Sequence, residues 1–316
     1  MLSRTADNLY WLSRYLERAE TTARLLDVGS RIQLLPDTAK GYRSEWEAIL
    51  KASGSMGQFT QKYGEAVERN VVSHMFFDRD NPSSVASCIF HLRENARIVR
   101  TALTGDVWDA INGAYQELEQ LARTERSELD LSTLTEWTSR QGALIQGTIY
   151  ATQLRNDGYD FLYLGYNLEK ADNTARLLDV KYFVLLPDIA YVGSGMDNFQ
   201  WMILLRSMRM HRAFHWAYGG DVTPAKIVDL LILNPQCPRS FRTAIDEASR
   251  YLLNLSKEYD RPQRADEMVM TIRDELHGLT SDAIFDEGLH EFITRFERQV
   301  AELSSEIQNT YLRGVQ

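Results

Sequence analysis

Two short strings of opposed charge recur in this chain: Glu17-Arg18-Ala19-Glu20 and Glu169-Lys170-Ala171-Asp172. Each continues into the same polar residues one and two helical turns later, Arg24 and Asp27 in the first copy, Arg176 and Asp179 in the second. Carboxylates and a guanidinium at this spacing suit three kinds of chemistry. They can clamp each other in charge-assisted pairs, grip an amino or carboxyl ligand through bidentate hydrogen bonds, or divide acid and base roles between two carboxyls. On a helix turning about 100° per residue, Ser13, Glu17, Glu20, Arg24 and Asp27 share one border of the apolar stripe formed by Leu12, Leu16 and Ala23. Gly165, Glu169, Asp172, Arg176 and Asp179 fall at the same places in the second copy, and the small Ser13 and Gly165 leave room for a neighbour to approach.

Two readings of this border stand side by side. Glu20-Arg24 and Asp172-Arg176 are acid-to-base pairs one turn apart, which on a solvated face contribute only about 0.2–0.5 kcal/mol each. The alternative is a polar seam or ligand site between the two helices. It is favoured because Arg24-Leu25-Leu26-Asp27-Val28 returns intact as Arg176-Leu177-Leu178-Asp179-Val180, whereas solvated positions tolerate most substitutions. Glu94 with Arg97 and Glu247 with Arg250 are weaker candidates. They point away from the apolar stripes of their own helices and read as exposed pairs.

Other chemistry is thinly represented. The sequence has no phosphate-binding loop of either glycine-rich type and no nucleophile elbow. Cys88 and Cys237 are the only cysteines and form no C-x-x-C pair, so a zinc site or thiol redox motif is not expected. Asp274-His277 and Glu287-His290, taken with the Glu17/Glu20 ladder, bear a faint likeness to di-iron bundles. That leaves a metal-dependent bundle as a third reading, although no metal or cofactor is expected. His211 and His215 lie one turn apart in a basic stretch, which disfavours a cation and suits a helix ridge.

The 316 residues are 44% apolar and 25% charged, in the range of globular proteins, with a formal charge of -9. An acidic surface argues against nucleic-acid binding, which requires cations to displace counterions from phosphate. No apolar run is long enough to span a bilayer, and the chain starts directly into an amphipathic pattern without a signal-peptide core. The expectation is a cytoplasmic protein with no membrane contact. An oligomer is compatible with the sequence.

The elements that must position these residues are helical. Apolar residues recur at intervals of three and four, as in Leu9, Leu12, Leu16, Ala19, Ala23 and Leu26, and nothing alternates with period two. Residues 9–28 (LYWLSRYLERAETTARLLDV) match 161–180 (FLYLGYNLEKADNTARLLDV) at about half the positions. Both segments run into Leu-Pro-Asp, at Pro36 and Pro187, where a helix should stop. Trp46 and Trp201 occupy matching places, and Asn81-Pro82 and Asn234-Pro235 are each expected to cap and start a helix. The fold class expected is all-α: one compact domain over 1–316, built from two tandem repeats of about 1–150 and 151–316 related by a pseudo-twofold. No low-complexity linker separates them.

The opening LSRTADNLYWLSRYLERAETTARLLDV, the stretch NPSSVASCIFHLRENAR (81–97) and NDGYDFLYLGYNLEKADNTARLLDVKY (156–182) together resemble the bacterial alpha-E family, helical proteins named for an ER dipeptide motif. The resemblance covers essentially the whole chain. The departure is Lys170 where the second copy of the motif would carry arginine, which keeps the charge but loses the planar fork. Alpha-E proteins occur beside, or fused to, ATP-grasp-like peptide or amide ligases, often with transglutaminase-like proteases nearby. The resemblance therefore implies a helical partner that docks such a ligase or presents its substrate. An enzyme using the carboxylate/arginine seam on an amino compound is the alternative.

Overall fold

A computed structural model of the chain describes residues 1–34, 45–185, 195–260 and 264–313. Fifteen α-helices and no strand occur among the described residues. The first half comprises α1 (Ser3–Gln33), α2 (Glu45–Ala52), α3 (Met56–Lys62), α4 (Glu68–Val72), α5 (Val85–Ile98), α6 (Gly105–Arg123) and α7 (Leu131–Thr152). The second comprises α8 (Asp157–Leu185), α9 (Gly195–Ser207), α10 (His211–Tyr218), α11 (Pro224–Val228), α12 (Phe241–Glu258), α13 (Arg264–Gly278), α14 (Ser281–Glu287) and α15 (Leu289–Ile307). No helix among the described residues is long and apolar enough to cross a membrane.

The two helices carrying the charged strings, α1 and α8, form the central pair. They run in the same direction, since their contacts advance in step from Leu9 against Gly158, through Tyr10 against Gly165, to Arg18 on Glu169. Gly165 is what permits this approach: a Cβ there would collide with the Tyr10 carbonyl oxygen and lie 3.1 Å from its carbon. Further helices pack against this pair. Helices α5 and α7 pack on α1, while α12 and α15 pack on α8. Leu12, Leu16, Leu26, Leu168, Leu178, Ile89 and Leu252 are all buried in the core between them.

The segments leading into α5 and α12 correspond closely. Helix α4 widens into a π-helical turn at Ser73–Phe77, and α11 does the same at Asp229–Leu233. Each is followed by the Asn-Pro pair and then by a helix. One expectation is corrected at this point: Asn81 and Asn234 do not cap those helices. Ser84 and Ser240 do, accepting the backbone N–H groups of Ser87 and Thr243 at 3.0 Å. The asparagines instead form the turn before the cap. Asn81 accepts from the Ser83 N–H and donates to the His74 carbonyl, and Asn234 accepts from the Gln236 N–H. Pro82 and Pro235 belong to these turns and not to a first helical position. Of the two Leu-Pro-Asp stops, Leu186-Pro187-Asp188 and Leu35-Pro36-Asp37 lie outside the described residues; α1 has already ended at Gln33 and the last described residue of α8 is Leu185.

Candidate functional site

The seam between α1 and α8 holds two buried ion-pair clusters. In the first, Glu169 is 1% exposed and accepts from three guanidinium nitrogens. Arg18 meets it with both prongs of its fork, Nε to Oε1 at 2.6 Å and Nη2 to Oε2 at 3.1 Å. Arg14 donates from Nε to Oε2 at 2.6 Å, and its Nη1 also donates to the Tyr10 hydroxyl at 3.0 Å. In the second, Glu17 is fully buried and takes the fork of Arg239 at 2.8 and 3.2 Å. Arg24 lies 3.6 Å from Glu17 and donates to Glu20 at 2.6 Å. The seam is therefore a polar network crossing the two halves: Glu169 is neutralised by arginines of the first half, and Glu17 by an arginine of the second.

Burial alone would push both carboxyls toward the neutral acid, because an ion in a low-dielectric interior loses its hydration. The surrounding arginines outweigh it. Against that burial, Arg14 and Arg18 hold the Glu169 carboxyl down to about 2, and Arg239 with Arg24 holds Glu17 below its ordinary value. Glu20 goes the other way, since burial and the adjacent Glu17 charge exceed the pull of Arg24 and Arg239. Any division of acid and base character thus falls between Glu20 and its neighbours, and not between Glu17 and Glu169, which are both held ionised.

The remaining candidates are spread more widely than their spacing suggested. Lys170 does not mirror Arg18: its ammonium donates to the Pro238 carbonyl at 3.2 Å and lies over the Tyr166 ring, and burial lowers it to about 8. Asp27 turns outward to Arg31, and Asp179 meets His290 Nδ1 at 2.6 Å. Arg176 clasps Asp172 at 2.8 and 3.4 Å beside a surface cleft. Glu94-Arg97 and Glu247-Arg250 are outlying pairs within their own helices, as their wheel positions indicated. The acid–histidine pairs do not join the Glu17/Glu20 ladder. His277 meets Asp246, His290 meets Asp179, and Glu287 is taken by Arg295. His211 and His215 meet edge to face on α10, their ring centroids 4.6 Å apart.

Arg14, Arg239 and Asn173 were missed by reading the two copies against each other. Arg14 aligns with Tyr166 and Arg239 with Ser83, so a search for repeated identity passes over both. Glu297 on α15 was also missed. Its carboxyl faces Arg176, Asp172 and Asp179 and is raised to about 7, chiefly by burial. Because the folded chain keeps this proton up to about 7 while the unfolded chain releases it near 4.5, stability contributed by the protonated form is lost as pH rises through that window. Glu297→Gln should flatten the pH dependence of unfolding between those two values. Denaturation midpoints that track wild type across it would show that the carboxyl is not so placed.

Beside the Glu169 cluster lies a cleft of about 350 Å³. Its walls are the facing flanks of α1 and α8, the Ser53-Gly54-Ser55 turn after α2, and the Asn81–Ser83 turn. Gly54 adopts a left-handed φ of 70°, and a Cβ on it would lie 3.8 Å from Arg176 Nη1, so the turn closes over that guanidinium. The repeated motif thus serves two ends on one pair of helices: a sealed ionic seam and, at its edge, an open polar cleft.

Residues 1–312 match a family model, Alpha-E, described as a predicted alpha-helical domain with a conserved ER motif. The chain belongs to the Alpha-E family. The Glu17-Arg18 dipeptide of α1 contributes one member to each ionic cluster. Uncharacterized proteins of Mycobacterium bovis and Mycobacterium tuberculosis are 22% identical over 307 residues, covering 89% of this chain but 34% of their own length. The chain therefore spans about a third of these curated relatives. No solved structure matches it.

Proposed function

We propose that this Alpha-E chain is the helical partner subunit of an ATP-grasp-type peptide or amide ligase, docking the ligase or presenting its substrate in the cytoplasm. The observation that carries this reading is the state of the signature carboxylates. Glu17 and Glu169 are buried, ionised and saturated by arginines, so the signature builds a rigid seam, and what it offers at the surface is a cleft of hydrogen-bonding groups. Such a cleft binds and orients. Neither thiol lines it, and burial pushes Cys88 up to about 12 and raises Cys237, which removes their nucleophilic form at neutral pH. In the mycobacterial relatives the similar region is joined to roughly twice its own length of further chain, as expected of a subunit that works beside another domain. A transglutaminase-like protease of the same system is the second expected partner.

The test is affinity purification of the tagged full chain from its native host, with the captured proteins identified by mass spectrometry. An ATP-grasp ligase in near-equal amount is expected; a capture without any ligase would overturn the reading. A catalytic role on an amino compound keeps one favourable observation, the near-neutral carboxyl of Glu297 beside Arg176. Activity of the reconstituted system that survives Glu297→Gln would remove it.

A further inference from the structure

The cleft between α1 and α8 has hydrogen-bond donors left over from its ion pairs. Arg18 uses Nε and Nη2 on Glu169, and Arg176 uses the same two nitrogens on Asp172. In both, Nη1 donates to no acceptor among the described residues, and both side chains line the cleft. Asn173 on α8 is 3% exposed, lines the same cleft, and has an amide Nδ2 with no hydrogen-bond partner. A buried, unpaired amide nitrogen costs about 1–3 kcal/mol, which is tolerated where a ligand supplies the missing acceptor.

The charges agree with the donors. Arg14, Arg18 and Arg176 bring three cations to this edge of the seam, against the two carboxylates of Glu169 and Asp172. Glu297 also acts on Arg176 but keeps its proton up to about 7. The two spare guanidinium nitrogens lie on side chains of the cleft wall. Ser53, Ser55 and Thr21 add hydroxyls around it. The volume, about 350 Å³, is at the small end of the range for ligand sites.

We infer that this cleft is a binding site for a small oxyanion-bearing molecule, gripped through a carboxylate or phosphate group by Arg18, Arg176 and Asn173. Guanidinium and amide N–H groups arranged around an oxyanion give short, charge-assisted hydrogen bonds, and two oxygens of a carboxylate or phosphate fit two nitrogens at once. The inference stands on the geometry of the cleft alone and holds whether or not a ligase is the partner.

Isothermal titration of the full chain at low ionic strength tests it, with three probes: alanyl-alanine, its C-terminal amide, and inorganic phosphate. Heat with the dipeptide and none with its amide identifies a carboxylate site; heat with phosphate alone identifies a phosphate site. Asn173→Ala removes a group that holds nothing else in place, and Arg176→Gln alters a side chain at the cleft rim. Each should weaken binding at least about tenfold, the effect of losing one charge-assisted hydrogen bond, while leaving the circular dichroism spectrum unchanged. Should Arg176→Gln not fold, Asn173→Ala decides alone. No heat with any probe, dipeptide and amide binding equally, or Asn173→Ala binding as wild type does would each overturn the site.

Discussion

Replacing Glu169 by glutamine should lower the free energy of unfolding by about 3–5 kcal/mol, a large share of the ~5–15 kcal/mol that holds a typical domain folded. Glutamine keeps the shape of the side chain, so the packing of α8 against α1 is not the cause. The cause is charge: Arg14 and Arg18 stay buried around the position and lose the carboxylate that compensates their desolvation. The amide NH₂ would also face guanidinium donors, where the carboxylate offered only acceptors. Asp172→Asn is the matched control. Its partner Arg176 has 36% of its side chain exposed, so water takes over the lost pairing and the cost should stay below about 1 kcal/mol.

The same ion pairs predict a pH dependence. The Glu169 carboxyl releases its proton at about 2 in the folded chain and at 4.5 when unfolded. Unfolding therefore takes up a proton between those values. The stabilisation is whole above 4.5 and is lost as the pH falls through about 2. Chemical denaturation at a series of pH values should show the gap between wild type and Glu169→Gln at its widest at neutral pH and closing on acidification. A gap under about 1 kcal/mol at pH 7, the size of an exposed pair, would mean that the cluster is solvated and not sealed.

The second large effect is expected at Gly165. An alanine in the middle of a helix is ordinarily better than glycine by about 1 kcal/mol. At Gly165 the sign should reverse. The added methyl meets the carbonyl of Tyr10, a backbone atom inside α1 that has no rotamer to escape into. The two central helices would have to separate, stretching the Arg14 and Arg18 bonds to Glu169 a turn further along. Overpacking of this kind costs about 1–3 kcal/mol or more. Gly147→Ala on α7, where no atom lies within 4 Å of the new Cβ, should instead stabilise by about 0.5–1 kcal/mol. Thermal denaturation of the two variants beside wild type gives opposite shifts if α1 and α8 touch as described. Shifts of the same sign would contradict the close approach.

These two positions also show how much of the protein was legible before its tertiary structure. Helices, their apolar stripes and the pairs Glu20-Arg24, Asp172-Arg176 and Glu94-Arg97 depend on residues three or four apart. That spacing is written along the chain, because a helix brings such residues onto one face whatever else it packs against. The glycine at 165 was readable as a place of close approach for the same reason. The helix starts at Ser84 and Ser240 were within reach too, but Asn81 and Asn234 offered an equally good cap three and six residues earlier. Only the folded turn shows that the Asn81 side chain is already engaged by His74 and Ser83.

What tertiary structure alone decided is which charges meet. Arg239 and Glu17 are 222 residues apart, Arg14 and Glu169 are 155 apart, and no local spacing relates either pair. The comparison of the two halves pointed at the repeated residues, Glu17 with Glu169 and Arg18 with Lys170. The partners that make those glutamates ionic anchors are the ones the halves do not share, Arg14 opposite Tyr166 and Arg239 opposite Ser83. Sequence thus determined that α1 and α8 carry a matched polar edge. Packing determined that the edge is sealed at Glu17 and Glu169 and opens into a cleft at Arg18 and Arg176, with Asn173 in its wall. Local order follows from the 3.6-residue turn, whereas burial and ion pairing follow from which helix faces come together across the whole chain.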